Sequence, residues 1–428
     1  MDEYYEYYRC QKCGQIYGKD YCKSCNSVRF RDNFAHWTSG DSNLDEMIQN
    51  SQRNADRSYK LIEWIEYSNF ENIELIAHGG FGTVYKAIWK DGPLINYKQP
   101  WNFNKSKWRR KSNYIVAIKK FRNTTHASSE FLDEININMK MNTISSNVVR
   151  IYGVTRDLQN KEYAIVTEFK SDGNLREVIK KRHSELTWYE ILCMFLNISN
   201  GLFFVHKKNY YHKDFHSGNI LNSIDKYGIS PEISDFGLCR PMEQSSADKT
   251  LCGVLPFVAP EILLGREFTE AADIYGIGMV MSEVISGEPP FIDRDYDEHL
   301  ALSICYGQRP QIPEYTPEPY AELMKRCWDP ISTNRPTAKE LENQFWNLFN
   351  VLNNNNSIEL SEDRRLEIKE AFSQEREDKW KARLAELATN PIPMKRSQNM
   401  LTSKRLDYSQ YLSQKLTVDD WNKLKLTD

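Results

Sequence analysis

The sequence predicts an α+β chain in two parts, a smaller one built mainly on antiparallel strands and a larger one that is mainly helical. Three observations predict it. Ile76-Ala77-His78-Gly79-Gly80-Phe81-Gly82-Thr83-Val84-Tyr85 sets extended-favouring residues on both sides of a glycine turn. Val116-Ala117-Ile118-Lys119 is a further short strand, and Glu130-Phe131-Leu132-Asp133-Glu134-Ile135 opens a helix soon after it. Beyond residue 170 the patterning turns helical, as in Leu186–Lys207 and Ala271–Ser286.

Taken in order, residues 1–30 hold a cysteine cluster. Cys10-Gln11-Lys12-Cys13 and Cys22-Lys23-Ser24-Cys25 are two Cys-x-x-Cys pairs with eight residues between them. Gly14 and Asn26 follow them, and both residue types take positive φ readily, as a knuckle turn requires. Four thiolates suit a tetrahedral structural Zn²⁺ at about 2.3 Å per bond, in the manner of a small zinc ribbon. A closed set of four leaves no coordination position for catalysis, so the segment is a candidate partner-binding module. The bland alternative is a cysteine-rich arm without metal.

Residues 41–66 carry apolar positions at near-helical spacing after Asp41 or Ser42 as N-cap, and predict a linker helix. Residues 70–170 predict a twisted antiparallel sheet with one helix. Within them, 91–113 reads as a long solvated hairpin connection with Lys105, Lys107, Arg109, Arg110 and Lys111. The main body spans 67–348. Residues 349–428 predict a charged helix with only a weak apolar stripe over 361–388, then a flexible tail over 391–428.

The bulk numbers set limits. The chain has 428 residues, 40% of them hydrophobic, and a formal net charge of −3. That length suggests two to three domain-sized units. The balanced charge argues against a nucleic-acid partner. No apolar run reads as long enough to span a bilayer, and the acidic start Met1-Asp2-Glu3 lacks a signal-peptide pattern. A cytoplasmic protein with no membrane partner is expected, its scattered cysteines being free thiols.

The chemistry concentrates in His212-Lys213-Asp214-Phe215-His216-Ser217-Gly218-Asn219 and Asp235-Phe236-Gly237. One carboxylate can take the proton of an attacking hydroxyl, while a second carboxylate and an amide oxygen can hold magnesium against phosphates. Glycines 79, 80 and 82 let backbone N–H groups approach phosphate oxygens with no Cβ in the way. With Val258-Ala259-Pro260-Glu261 downstream, the order and separation of these motifs resemble the eukaryotic protein kinase family, closest in texture to its tyrosine-kinase-like branch.

The resemblance implies a bilobal fold and an ATP- and Mg²⁺-dependent transfer of the γ-phosphoryl group to protein hydroxyls, of Ser or Thr, as in signalling. It implies Asp214 as catalytic base and Asn219 and Asp235 as magnesium ligands. Lys119 would contact the α- and β-phosphates, held by Glu134. Gly79, Gly80 and Gly82 would cover the phosphates. Val84, Ala117 and Leu221 would sandwich adenine, with Thr167 as gatekeeper and Glu168 and Phe169 in the hinge. By the same resemblance His212 stacks on Phe236, Asp273 anchors the catalytic loop, and Glu261 pairs with Arg335.

Departures from the family pattern stand at Ala77, Lys213, His216, Val254 and Asn138. Asn138 is a buried amide that needs a partner. Ser245, Ser246 and Thr250 are the hydroxyl candidates for activation-segment phosphorylation. The departures motivate a rival reading, a pseudokinase acting as a nucleotide-binding or scaffold module. A small-molecule kinase is a further rival.

Overall fold

A computed structural model describes residues 7–18, 21–78, 82–95, 99–121, 127–142, 147–182, 185–226, 228–241, 251–355, 360–390 and 401–415. The chain divides into two units, Met1–Phe169 and Lys170–Asp428.

The first unit begins with a hairpin, β1 (Tyr7–Arg9) and β2 (Ile16–Gly18), followed by helices α1 (Lys23–Asn33) and α2 (Ser42–Asn54). Asp41 caps α2 by accepting from the amides of Asn43 and Leu44. The helix is shorter than the one expected over 41–66, because β3 (Glu63–Trp64) follows. Next come β4 (Phe70–His78), β5 (Gly82–Trp89), the short pair β6 (Trp101–Asn102) and β7 (Lys107–Trp108), β8 (Tyr114–Phe121), α3 (Ser129–Asn142), β9 (Ile151–Asp157) and β10 (Glu162–Glu168). Among the described residues one sheet runs in the order β3-β9-β10-β8-β5-β4, antiparallel except where β3 pairs β9.

Strand alternation gives this sheet two apolar faces. Val116, Ile118, Trp89 and Val166 fill one. Phe121, Ile165 and Tyr163 fill the other, with Phe131 and Ile135 of α3 and Leu44 and Ile48 of α2. Helix α2 is thus part of this core rather than a linker. The 91–113 connection also departs from the solvated loop expected of it. Leu94 is buried with Tyr21, Phe30, Ala55 and Leu61, and Trp108 stacks on Phe30 at 4.5 Å. Its aromatic residues offered that burial, and the lysines and arginines between them masked it.

The second unit contains α4 (Leu175–Arg182), α5 (Trp188–Lys207), β11 (Tyr210–Tyr211), β12 (Ile220–Asp225), β13 (Gly228–Ile233), β14 (Arg240–Pro241), β15 (Leu251–Gly253), α6 (Pro260–Leu263), α7 (Glu270–Ser286), α8 (Glu298–Cys305), α9 (Glu318–Cys327) and α10 (Ala338–Leu352). Then follow α11 (Glu362–Ala371), α12 (Gln374–Thr389), β16 (Lys404–Leu406) and α13 (Ser409–Lys415). A β unit with one principal helix, then a helical unit, is the α+β bilobal class expected. Helix α5 starts on a Thr187–Glu190 capping box. By length and composition it is apolar enough to cross a membrane, contrary to the sequence reading. Its buried face belongs to the core of the unit, where Phe195 stacks on Phe345 of α10 at 5.4 Å.

The C-terminal region corrects the sequence reading most. Helices α11 and α12 bury Ile368, Phe372, Trp380 and Leu384, and Trp380 stacks on Trp188 at 4.8 Å with planes 9° apart. Within the tail expected to be flexible, β16 pairs antiparallel with β15, and Leu412 of α13 is fully buried.

Candidate active site and cysteine cluster

In the first unit, strand alternation delivers Lys119. Val116 and Ile118 of β8 point into one apolar face, so Ala117 and Lys119 point to the face that α3 covers. Lys119 Nζ donates to Glu134 Oε1 of α3 at 2.8 Å, with both side chains largely buried. Cross-strand register sets Val84 opposite Lys119 and Thr167 opposite Ala117, so all four share one sheet face. Glu168 and Phe169 follow directly, and Lys86 Nζ lies 5.6 Å from the Phe169 ring. A Cβ on Gly82 would fall 2.3 Å from the Lys120 carbonyl oxygen, so β5 approaches β8 there only with glycine. Gly79 and Gly80 lie outside the described residues. The Asn138 amide finds its partner locally, donating to the Glu134 carbonyl at 2.8 Å.

In the second unit, Asp273 near the start of α7 organises the loop after β11. Its carboxylate accepts from the amides of His212 and Lys213, both at 2.9 Å, and contacts His206 Nε2 at 2.9 Å. Lys213 is held at φ +69°, a conformation a lysine rarely adopts, and those two hydrogen bonds fix it. The Asp214 amide donates to His212 Nδ1 at 3.3 Å, and His212 Nε2 lies 3.0 Å from the Ser234 carbonyl oxygen. The His212 ring lies 5.2 Å from Phe236, the aromatic contact that the resemblance implied.

The β12–β13 hairpin brings the two magnesium-ligand candidates near one another. Ile220 pairs Ile233, so Asn219 and Ser234 flank the pairing, and both the amide and the hydroxyl of Ser234 donate to the Asn219 carbonyl at 2.9 Å. Asp235 follows at φ +59° and accepts from the Gly237 amide at 3.4 Å. Leu221 stands on β12, next to Ile220. Asn219 Nδ2 donates to the Asp214 carbonyl at 2.9 Å and to Asp214 Oδ2 at 3.2 Å.

Asp214 is 4% exposed. Burial alone would raise its pKa. His216 and the Ser403 hydroxyl outweigh burial and hold it below the usual value of 3.8, so the carboxylate is the stable form. Among the described residues its Oδ1 has no hydrogen-bond partner, and it lies 3.6 Å from His216 Nε2. Ser403 Oγ donates to Oδ2 at 2.6 Å. The sequence reading missed Ser403, which stands in the part read as tail. It also missed Ser217 and Arg176, which converge on buried Glu283 and brace the loop. Farther off, Arg335 binds Glu261 through two parallel contacts, 2.6 and 2.8 Å, as expected.

The cysteine cluster is a separate candidate site. Cys10, Cys13, Cys22 and Cys25 bring their sulfurs within 4.8 Å of one another. The Cys10–Cys25 and Cys13–Cys22 separations are 3.7 and 3.6 Å, close to the edge of about 3.8 Å that a tetrahedron with Zn–S bonds of 2.3 Å requires. The donor set and its size therefore fit zinc. Burial and the neighbouring thiols push Cys25 up to about 12, while the Cys13 and Lys12 amides outweigh burial at Cys10 and lower it to about 7. The first pair forms the expected knuckle, with Gly14 at φ +71°. The second departs from it. Cys22 N-caps α1, Cys25 lies in the first turn, and Asn26 is helical and buried.

Comparisons with known proteins agree on the domain. The family model described as "Protein tyrosine and serine/threonine kinase" matches residues 70–345. A protein of Acanthamoeba polyphaga mimivirus, named as a serine/threonine-protein kinase/receptor, is 30% identical over 300 residues, covering 69% of this chain and 16% of its own length. A second mimivirus protein of the same naming is 28% identical over 336 residues, covering 74% of this chain and 19% of its own length. A Dictyostelium discoideum protein, named as a LIM domain-containing serine/threonine-protein kinase, is 27% identical over 271 residues, covering 63% of this chain and 37% of its own length. The chain thus spans well under half the length of these relatives. With the match over residues 70–345, the chain belongs to the protein tyrosine and serine/threonine kinase family.

Proposed function

We propose that the chain is an ATP- and Mg²⁺-dependent protein kinase that transfers the γ-phosphoryl group to Ser or Thr hydroxyls of protein substrates. The observation that carries this reading is the Lys119–Glu134 ion pair, formed at 2.8 Å in a largely buried setting. A kinase needs that pair to hold its phosphate-binding lysine, so its presence supports the catalytic reading. The relatives named above supply the Ser/Thr class. Motif texture supplies the tyrosine-kinase-like branch.

Each residue then has a task. Lys119 would bind the α- and β-phosphates while Val84, Ala117, Thr167 and Leu221 contact adenine. Asn219 and Asp235 would hold Mg²⁺, hard oxygen donors for a hard cation. The bound ion would neutralise charge on the β- and γ-phosphates. Asp214 would orient the acceptor hydroxyl and take its proton, and Asn219 Nδ2 steadies that carboxylate.

We also assign the four clustered cysteines to structural Zn²⁺, since their spacing fits it and their thiols otherwise crowd one another. The zinc segment is our candidate for partner binding. Cysteines outside disulfides suit a reducing, cytoplasmic setting.

The test is labelled ATP with a serine peptide library, wild type beside Asp214→Asn. Incorporation in wild type and its loss in the variant are expected. Equal incorporation in both, or none in either, would sink the catalytic reading in favour of a pseudokinase.

A further inference from the structure

We propose that Ser403 is an intramolecular phospho-acceptor. The chain's own C-terminal segment occupies the acceptor position at Asp214 until Ser403 is phosphorylated in cis. The inference rests on the kinase reading above.

Three features of the second unit carry it. Ser403 is 7% exposed, and its hydroxyl donates to Asp214 Oδ2 at 2.6 Å, the arrangement a substrate hydroxyl needs for proton removal. His216 orients the same oxygen. The Gly218 amide donates to His216 Nδ1 at 3.0 Å, so the ring hydrogen sits on Nε2, which faces Ser403 Oγ at 3.2 Å. The hydroxyl therefore gives one hydrogen bond and receives one, and a lone pair remains for attack.

The segment is also docked as a peptide. β16 pairs with β15 of the segment after Asp235, matching Leu406 to Leu251, Arg405 to Cys252 and Lys404 to Gly253. Leu406 is buried while Lys404 and Arg405 are exposed. Beyond it, Tyr408 donates its hydroxyl to the Tyr296 carbonyl at 3.1 Å and Leu412 is fully buried. A contact made by chance at Ser403 alone would not need this continuous seat.

In the reaction, Ser403 Oγ attacks the γ-phosphorus of a bound nucleoside triphosphate. The new O–P bond forms as the bond from that phosphorus to the β–γ bridging oxygen breaks, leaving the diphosphate. The hydroxyl proton passes to Asp214. Asp214, whose ionised form is the stable one, then gives that proton up to water. The product carries close to two negative charges beside the restored carboxylate, and repulsion expels the segment and frees the site. The modification thus removes its own blockade.

The experiment uses the full chain with labelled ATP and magnesium, an added serine peptide, and the variants Ser403→Ala and Leu406→Asp. Residue-resolved mass spectrometry should place label on Ser403 in wild type, at a first-order rate independent of protein concentration. Ser403→Ala should lose that label yet keep a high KM for the added peptide. Leu406→Asp, with the strand undocked, should lower that KM roughly tenfold with kcat little changed. Amide exchange, which needs no nucleotide, should show residues 251–253 protected in wild type and fast in Leu406→Asp. Label on the added peptide without label on Ser403 overturns the proposal and leaves the kinase reading intact. Equal KM in Ser403→Ala and Leu406→Asp, or equal exchange in wild type and Leu406→Asp, also overturns it. No label on tail or peptide in any variant overturns the kinase reading and the phosphorylation step together, while exchange still decides whether the segment is seated.

Discussion

Asp273 Oδ1 accepts the backbone amide of Lys213 at 2.9 Å, and that amide belongs to a residue held at φ +69°. The anchor therefore retains a backbone conformation that would otherwise relax, one residue before Asp214. Asp273→Ala leaves two amides and His206 without their acceptor, so a loss of roughly 3 kcal/mol is expected in urea unfolding. Phosphoryl transfer should fall with it, because the loop no longer presents Asp214. An unchanged unfolding midpoint would show the anchor to be dispensable.

The Glu261–Arg335 pair is buried and bidentate, with the Arg335 side chain fully enclosed. Removing only one partner strands the other charge. Arg335→Ala should cost about 3–5 kcal/mol in the same assay. Arg335→Lys keeps the charge but not the fork, and should fall between the variant and wild type.

Trp380 stacks on Trp188, and the Trp188 amide donates to Glu377 at 2.7 Å, so α12 is tied to α5 by both packing and polar contact. Trp380→Ala should lower stability by about 3–5 kcal/mol. If α12 were only a loosely held charged helix, thermal unfolding of the variant would match wild type.

Stoichiometric zinc is expected in the purified chain by atomic emission. Cys22→Ser, or a strong chelator, should release it and speed amide exchange over residues 21–33, because Cys22 and Cys25 tie the start of α1 to the cluster. Metal-free protein with exchange unchanged in Cys22→Ser would refute the metal assignment.

Asp214 has a folded pKa depressed below 3.8, so folding favours its ionised form. The sign follows from linkage. Its contribution is fully present above the unfolded value and is lost as pH falls through the lower, folded value. The stability difference between wild type and Asp214→Asn should therefore be constant from about pH 7 to 5 and shrink below about pH 4. Thermal unfolding of the pair across that range measures it, and a difference that grew on acidification would contradict the assignment.

Much of the site was legible in the chain because its chemistry is written locally. Val116 to Lys119 alternate along one strand, so the sequence alone says that Lys119 points away from Val116 and Ile118. Asp214 and Asn219 share one short loop, and Asn219 and Asp235 bracket one hairpin. Asn138 showed the limit of the same method. The reading identified a buried amide in need of a partner, but the partner is a helix carbonyl four residues back, which no side-chain pattern announces.

What the sequence determined by itself was the two-part α+β class, the loop that carries Asp214 and Asn219, the direction in which Lys119 leaves its strand and the fourfold sulfur set. Each depends on residues close in the chain or on a short repeating period. Tertiary structure alone decided that the 91–113 connection packs on α1, that α12 is a core helix, and that Ser403 reaches Asp214 across 189 positions of chain. Those outcomes depend on which apolar surfaces meet after folding. A charged segment with sparse apolar residues looks unstructured until the groove that buries Leu406 and Leu412 exists.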